Sequence, residues 1–429
     1  MAFPGASLPG AQSPGAQSKL ARAARNLKRG RATAARRLYE QVLITDPESR
    51  TAYAGLYYAY TALGDGHAAA VSLARALMLQ SIVTLPYRGI AEPVSILLLQ
   101  SIQAGNALLQ RLLDDRIFVT HVLLVEFYQP GTPLPPHDVV FNAIGDADIR
   151  GEALAASRAV LARTDAPLLN APQAVLATAR VGNSNRFAGI PGIRTARTVC
   201  MPHSVIASSD AVSALASHGL GFPLLLRAPG FHMGKHFVRV EGSGELRETV
   251  SELVEILGKT GSVDPENGLL AMEFLDGRGH DGLFRKYRVL FVDGEMLPVH
   301  LAACEDWKIH YFSAQLAQHP ERRAEDARFL AEMPAVLGSG VMRALAAIRD
   351  TLALDYAGVD FGVDREGNLL LYEANANMAI IHPGPEAIWD YRRPAIERIY
   401  TAVHAMLLRR ASLNVSSAAR RQESPLPAG

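Results

Sequence analysis

The chain has 429 residues, 49% of them hydrophobic, with a formal net charge of +1. That length sets an expectation of two to four domains with substantial cores, and the balanced charge gives no electrostatic case for nucleic acid or a membrane surface. Cys200 and Cys304 are too few for a disulfide framework and wrongly spaced for zinc, which fits a reducing, cytoplasmic setting. No apolar run approaches the ~20 residues of a membrane-spanning helix.

In chain order, residues 1–18, MAFPGASLPGAQSPGAQS, are low in complexity and expected to be disordered. Before Glu40 there is no acidic residue, whereas Lys19, Arg22, Arg25, Lys28, Arg29, Arg31, Arg36 and Arg37 are present. An organellar transit peptide also reads as arginine-rich and acid-free, but here the pattern continues into a helical repeat, so a charged helix face is expected. Within 19–90, LKRG (27–30) and LGDG (63–66) each precede a helix with an alanine at a matching place, Ala34 and Ala70. Asp46–Pro47 divides the two units. The pattern resembles tetratricopeptide-type helical hairpins, with a plain helical bundle as the alternative.

Across 91–172 the period changes. PVSILLLQ, FVTHVLLVEFYQ and DVVFNAIGDAD are strand-like, and helical patterns occupy 107–114 and 150–163, which predicts a small parallel α/β domain. GDAD (145–148) ends a strand in two acids and reads either as a ligand-facing loop or as an acidic helix N-terminus.

A larger α+β domain is expected over 173–410. Residues 174–220 read as helix and loop; FPLLLRAPG (222–230) and KHFVRVE (235–241) read as strands around the turn FHMG. The glycines are not spaced as in a P-loop, and strand rather than helix follows, so that motif is rejected. A flap that brings Gly230, Gly234 and Lys235 near an anion is the functional reading; an ordinary tight hairpin is the plain one. A helix (245–258), the strand GLLAMEFLDG (268–277), a hairpin turning at Asp293–Gly294, and helices at 321–333, 340–353 and 384–409 follow. The tail, 411–429, is expected to be disordered.

The most informative stretch is YAGVDFGVDREGNLLLYEANANM (356–378). If this hairpin is symmetric about Glu366–Gly367, Asp360 faces Glu373, and Asn375 shares the face of Glu373. Facing carboxylates in apolar strands repel each other and require a positive charge between them. Arg227, Lys235, the apolar strand AMEFL, Arg288 and the Asp360/Glu373/Asn375 hairpin then occur in an order suited to a Mg²⁺–nucleotide. Mg²⁺ uses one or two carboxylates plus phosphate oxygens.

That order resembles the ATP-grasp superfamily over roughly 170–410, with a preceding α/β domain. The resemblance implies ATP and Mg²⁺ as cofactors, Asp360, Glu373 and Asn375 as metal ligands, and Gly230, Gly234 and Lys235 as the phosphate lid. It also implies adenine at Glu273, Phe274 and Leu275, ribose at Asp281 or Asp276, and Arg288 with Lys235 as catalytic cations. Arg227 stands where the family has a lysine, and the family's earlier lysine has Arg180, Arg186 or Arg197 as candidate counterparts. The implied activity is that of a carboxylate–amine ligase, as in glutathione synthetase and D-alanine–D-alanine ligase, acting on small-molecule or peptide substrates through an acyl phosphate. A kinase on this fold, or a nucleotide-binding scaffold presenting the N-terminal helices to a protein partner, are the alternatives. In HLAACEDWKIHYF (300–312), His300, Lys308 and His310 are substrate-facing candidates, against a plain structural role for the histidines.

Overall fold

The computed structural model describes residues 14–229, 231, 234–260, 268–309 and 315–423. The chain divides into two units, one comprising Met1–Thr84 with His121–Leu134, the other Leu85–Thr120 with Pro135–Gly429.

The first unit holds four helices, α1 (Pro14–Lys28), α2 (Ala32–Thr45), α3 (Arg50–Ala62) and α4 (Gly66–Leu79), then the short strand β1 (Ile82–Thr84). Ala16, Leu20 and Ala23 fall at helical spacing and form the buried stripe of α1. A Cβ at Gly55 on α3 would lie 2.2 Å from the Tyr39 ring of α2, so the two helices pack closely only with glycine there. Asp65 caps α4 by accepting from the Ala68 amide at 2.9 Å. Helix α1 begins inside the segment expected to be disordered.

In the second unit lie β2 (Val94–Gln100), the start of β3 (Phe118–Leu124), β4 (Val139–Asn142), α5 (Gly151–Leu161) and β5 (Leu168–Leu169). Of the helix expected at 107–114 only a 3-10 turn at Leu109–Arg111 forms. Parallel pairing sets Leu97 beside Val140 and Phe141 beside Leu169. The second half of β3 belongs to the first unit and runs antiparallel to β1, with Leu123 opposite Ile82.

Next come α6 (Pro172–Leu176), α7 (Arg180–Phe187), β6 (Ile193–Thr195), β7 (Thr198–Met201), α8 (His203–Ile206) and α9 (Ala211–Ser217). The two strands lie in a stretch expected to be helix and loop. Each is only three or four residues long and half exposed, so neither shows an apolar run. Strands β8 (Leu224–Arg227) and β9 (Phe237–Val240), helix α10 (Ser243–Thr260) and β10 (Leu269–Glu273) complete a four-stranded sheet ordered β7-β10-β8-β9. Leu224, Leu226, Val240, Val250, Leu253 and Leu257 share its buried core.

The last sheet contains β11 (Phe284–Val292), β12 (Glu295–Cys304), β13 (Tyr356–Val363) and β14 (Leu369–Asn375) in the order β12-β11-β13-β14-β6. The turn at Asp293–Gly294 falls where predicted, with both residues at positive φ, 48° and 87°. Helices α11 (Pro320–Leu352) and α12 (Arg393–Glu423) pack on β12. By length and composition alone, Pro320–Leu352 could cross a membrane. Its backbone breaks at Glu332 (φ −132°) and Gly338 (φ 74°), however, so it is the expected pair of helices, neither of which reaches ~20 residues. Helix α12 continues to Glu423, past the expected boundary at 410.

Candidate active site

Four side chains form one row across the last sheet. His300 on β12 pairs in register with Arg288 on β11, Arg288 with Asp360 on β13, and Asp360 with Glu373 on β14. Asp360 faces Glu373 as expected, but not by symmetry about the turn. Next to the turn Val363 pairs with Leu369 and Phe361 with Leu371, one residue off the expected register. A shift at Asp360/Phe361 that skips Tyr372 brings Asp360 opposite Glu373. All four side chains line a single cavity of about 1310 Å³. Lys286, two residues before Arg288 on the same strand face, joins them.

The facing carboxylates are each held by a different arginine. Arg288 grips Asp360 with two bonds, Nε to Oδ1 at 2.6 Å and Nη2 to Oδ2 at 2.8 Å, and Lys286 Nζ lies 3.3 Å from Oδ2. Arg288 also donates to the Ala379 carbonyl at 3.0 Å, which fixes the guanidinium plane. Arg180, the first residue of α7, donates to Glu373 Oε1 at 2.6 Å and pairs through its other terminal nitrogen with Asp148. Burial disfavours the Asp360 carboxylate, but Arg288 and Lys286 outweigh it and hold the group below the ordinary carboxylate range. Glu373 behaves likewise: burial opposes ionisation, and Arg180 and Arg227 overcome it. Burial, reinforced by Arg288, drives His300 well below its usual value and keeps the imidazole neutral.

Arg227 ends β8 and donates to the Phe231 carbonyl at 2.6 Å, at the root of the flap. Burial, with Arg180 nearby, lowers its pKa. The flap's base is closed by the Ala228 amide bonding to the His236 carbonyl at 3.0 Å. Gly234 adopts φ 68°, and exposed Lys235 reaches the cavity beside it. Gly230 and His310 lie outside the described residues.

Glu273, Phe274 and Leu275 line the cavity where β10 ends. The Glu273 amide bonds to the Arg197 carbonyl at 2.8 Å, and the Arg239 guanidinium sits 4.0 Å from the centroid of the Phe274 ring. Phe237 and Phe274 both meet Trp307 edge-on, at 5.4 and 6.1 Å, so this end of the cavity is an aromatic slot. Lys308 also lines the cavity, but its ammonium is bonded to the Phe237 carbonyl at 2.9 Å.

Asp281 is a correction. It does not line the cavity; its carboxylate is exposed and ion-paired with Arg285 at 2.6 Å, and Arg285 in turn holds Glu325. Two guanidinium bonds draw it away from the slot and hold its pKa at about 2, mainly through the Arg285 hydrogen bonds. Asp276 is similarly taken by Arg278. Of the three arginines proposed for the earlier basic position, Arg180 alone lines the cavity. Arg186 bonds to the Thr351 carbonyl and Arg197 to the Gly219 carbonyl. Lys286 was missed as a cavity residue, and Asp148 was read only as part of GDAD, a ligand-facing loop or an acidic helix N-terminus. Period-2 spacing from Arg288 was the available signal for Lys286; nothing local marked Asp148 beyond GDAD.

The donor set fits a divalent cation brought in with phosphates. No group of three or more His, Cys, Asp or Glu side chains that could hold a metal occurs among the described residues, so no all-protein cage forms. Two facing carboxylates and the Asn375 amide beside them are what Mg²⁺ needs when phosphate oxygens complete its shell. Asn375 Nδ2 donates to Glu373 Oε1 at 3.0 Å, and its oxygen, the atom an ion would use, accepts from the Asn377 amide at 2.8 Å.

No protein-family model and no curated protein matches the chain. Among solved structures, it is similar to a RimK domain ATP-grasp protein from Sphaerobacter thermophilus at 15% identity and TM-score 0.42, over 73% of this chain and 100% of that one. D-alanyl-alanine synthetase A from Vibrio cholerae is similar at 12% identity and TM-score 0.43, over 74% and 99%. The VanG D-Ala:D-Ser ligase from Enterococcus faecalis is similar at 10% identity and TM-score 0.45, over 75% and 100%.

Proposed function

We propose that this chain is an ATP- and Mg²⁺-dependent ligase of the ATP-grasp type that joins a carboxylate to an amine. The observation that carries the reading is the row His300–Arg288–Asp360–Glu373, set in a cavity that also receives Arg227, Lys235 and Lys286. Facing carboxylates amid five or more cations suit a metal–triphosphate, and the aromatic slot at Glu273–Leu275 suits a nucleobase. A cavity of about 1310 Å³ leaves space beyond a nucleotide for an acceptor.

In this reading Asp360, Glu373 and Asn375 hold Mg²⁺, which supplies charge neutralisation at the phosphates. Lys235, Arg227 and Arg180 bind phosphate oxygens, and the flap excludes water. Arg288 stabilises negative charge on the transferred phosphoryl group, where fixed cations in a dry site contribute most. A substrate carboxylate oxygen bonds to the γ-phosphorus as ADP leaves. The amine nitrogen then bonds to the acyl carbon, inorganic phosphate departs, and the amine proton passes to solvent or to a neighbouring base. Neutral His300, in register beside Arg288, adds no positive charge to the row. The four N-terminal helices we read as a tetratricopeptide-like surface for a peptide or protein.

The test is ADP release across a panel of amino acids and short peptides, with hydroxylamine present to trap an activated acyl group. Hydroxamate formation that requires ATP, Mg²⁺ and one acid is expected. Phosphorylated product with no amide and no hydroxamate would replace the ligase with a kinase.

A further inference from the structure

The strongest unassigned relationship lies behind the row, in the loop after β4. Asp148 makes two different attachments to one residue: its Oδ1 accepts from the Arg180 backbone amide at 3.0 Å, and its Oδ2 pairs with the Arg180 guanidinium. The opposite guanidinium nitrogen holds Glu373 Oε1. Arg180 thus bridges an acid of the α/β domain and an acid of the hairpin, with only 14% of its side chain exposed.

The loop that presents Asp148 is built to stay in place. Asp146 Oδ1 accepts from the Asp148 amide at 3.0 Å, and the Gly145 and Asp146 amides both bond to the Gly105 carbonyl, at 2.9 and 3.0 Å. A Cβ at Gly145 would lie 2.8 Å from the Ala376 carbonyl oxygen, so the loop backbone seats directly on the chain just after Glu373 and Asn375. Burial alone would lower the Arg180 pKa; Glu373, Asp148 and Asp146 reverse this, so the guanidinium is fixed as a cation.

We propose that Asp148 is a positioning residue that anchors Arg180 beside Glu373, so that Arg180 and a divalent cation compete for the same carboxylate and nucleotide phosphate relieves the competition. This rests on the nucleotide-binding reading above. An Arg180 held only by Glu373 would follow that carboxylate; tethered to Asp148 it stays at the phosphate position when Glu373 turns to a metal. Metal binding is therefore weak without nucleotide and strong with it.

The test is a double-mutant cycle on the full chain, read by binding rather than turnover. Displacement of a fluorescent ATP analogue gives nucleotide affinity, and the free Mn²⁺ resonance signal gives metal affinity with and without a non-hydrolysable nucleotide. Asp148→Asn is expected to weaken nucleotide binding about 10-fold or more, the size of a charged hydrogen bond. The same change in an Arg180→Met background should have almost no effect, and Arg180→Met should tighten Mn²⁺ binding to nucleotide-free protein. Arg180→Lys, which replaces the two nitrogens that separately meet Asp148 and Glu373 by one, provides a second arm and should also reduce the Asp148→Asn effect. Equal losses in both backgrounds, or no loss from Asp148→Asn, would overturn the proposal while leaving nucleotide binding intact. Wild-type protein that binds no nucleotide would instead remove the reading on which the proposal stands.

Discussion

Asp360 and Glu373 face each other in register across β13 and β14, yet they do not share a cation: Arg288 holds the first and Arg180 the second. The repulsion built into the hairpin is thus offset from two sides, by β11 and by α7. An entering metal ion meets carboxylates already ionised.

Asp360→Asn leaves the Arg288 and Lys286 charges without their buried partner. Removing one member of such a pair costs about 3–5 kcal/mol, so the nucleotide-free variant should melt well below wild type. It should also gain no stability from ATP with Mg²⁺. Thermal unfolding with and without the ligands measures both effects, and a ligand-induced shift equal to that of wild type would refute the metal role.

The pH dependence follows from the same groups. Asp360 and Glu373 both titrate below their ordinary values in the folded chain. The folded form therefore binds fewer protons than the unfolded form near the free-carboxylate pKa values of about 4. Their contribution to stability is complete at neutral pH and is lost as pH falls below that range toward the folded values. Urea midpoints measured from pH 6 downward should show a shallower acid limb in Asp360→Asn. Parallel curves would show that Asp360 is not responsible.

Lys235 is exposed at the flap, and its partner in this reading is the ligand. Lys235→Met should leave unfolding of the nucleotide-free protein within about 0.5 kcal/mol of wild type. Nucleotide affinity should fall by about 10-fold. Displacement titration of a fluorescent ATP analogue checks this, and unchanged affinity would remove Lys235 from the phosphate site.

Arg392 and Asp326 form a fully buried pair that grips β12 on either side of His300. Arg392 donates to the Val299 carbonyl at 3.0 Å, and the Leu301 amide donates to Asp326 at 2.7 Å. The strand is at the sheet edge and its register shifts at Arg288/Val289, so these side chains satisfy backbone groups beside an irregularity. Arg392→Met is expected to cost about 3–5 kcal/mol, measured by chemical denaturation. A loss below about 1 kcal/mol would mean that the edge is held by other contacts.

Gly145→Ala places a Cβ against the Ala376 backbone. Backbone cannot yield as a side-chain tip does, so a loss of about 1–3 kcal/mol is expected. Nucleotide affinity should weaken with it, because the loop carries Asp148. Wild-type values for both would show that the loop is not seated as described.

The hairpin was partly legible in the sequence because local chemistry sets its turn at DREGN, and period-2 alternation sets Glu373 and Asn375 on one face. The register shift at Asp360/Phe361 that brings Asp360 opposite Glu373 carries no local signal. The strand–loop–strand around Lys235 and the turn at Asp293–Gly294 were readable for the same reason. The Asp281 reading failed because an acid near the expected ribose position looks the same in sequence whether it faces the cavity or, as here, is drawn off by Arg285. Strands β6 and β7 were hidden because they are too short to show a period; their partners β14 and β10 make them strands.

By itself, then, the sequence determined the two strands, their turn and the alternation that sets Asn375 beside Glu373, while the folded sheet supplied the register shift that brings Asp360 opposite Glu373. Tertiary structure decided which cations meet them: Arg180 from 193 positions away rather than Arg186 or Arg197, and Arg288 with Lys286 from a neighbouring strand. The division has a physical cause. Turn geometry acts over a few bonds, whereas the choice of an ion-pair partner depends on which side chains the packed sheets bring within a few ångströms.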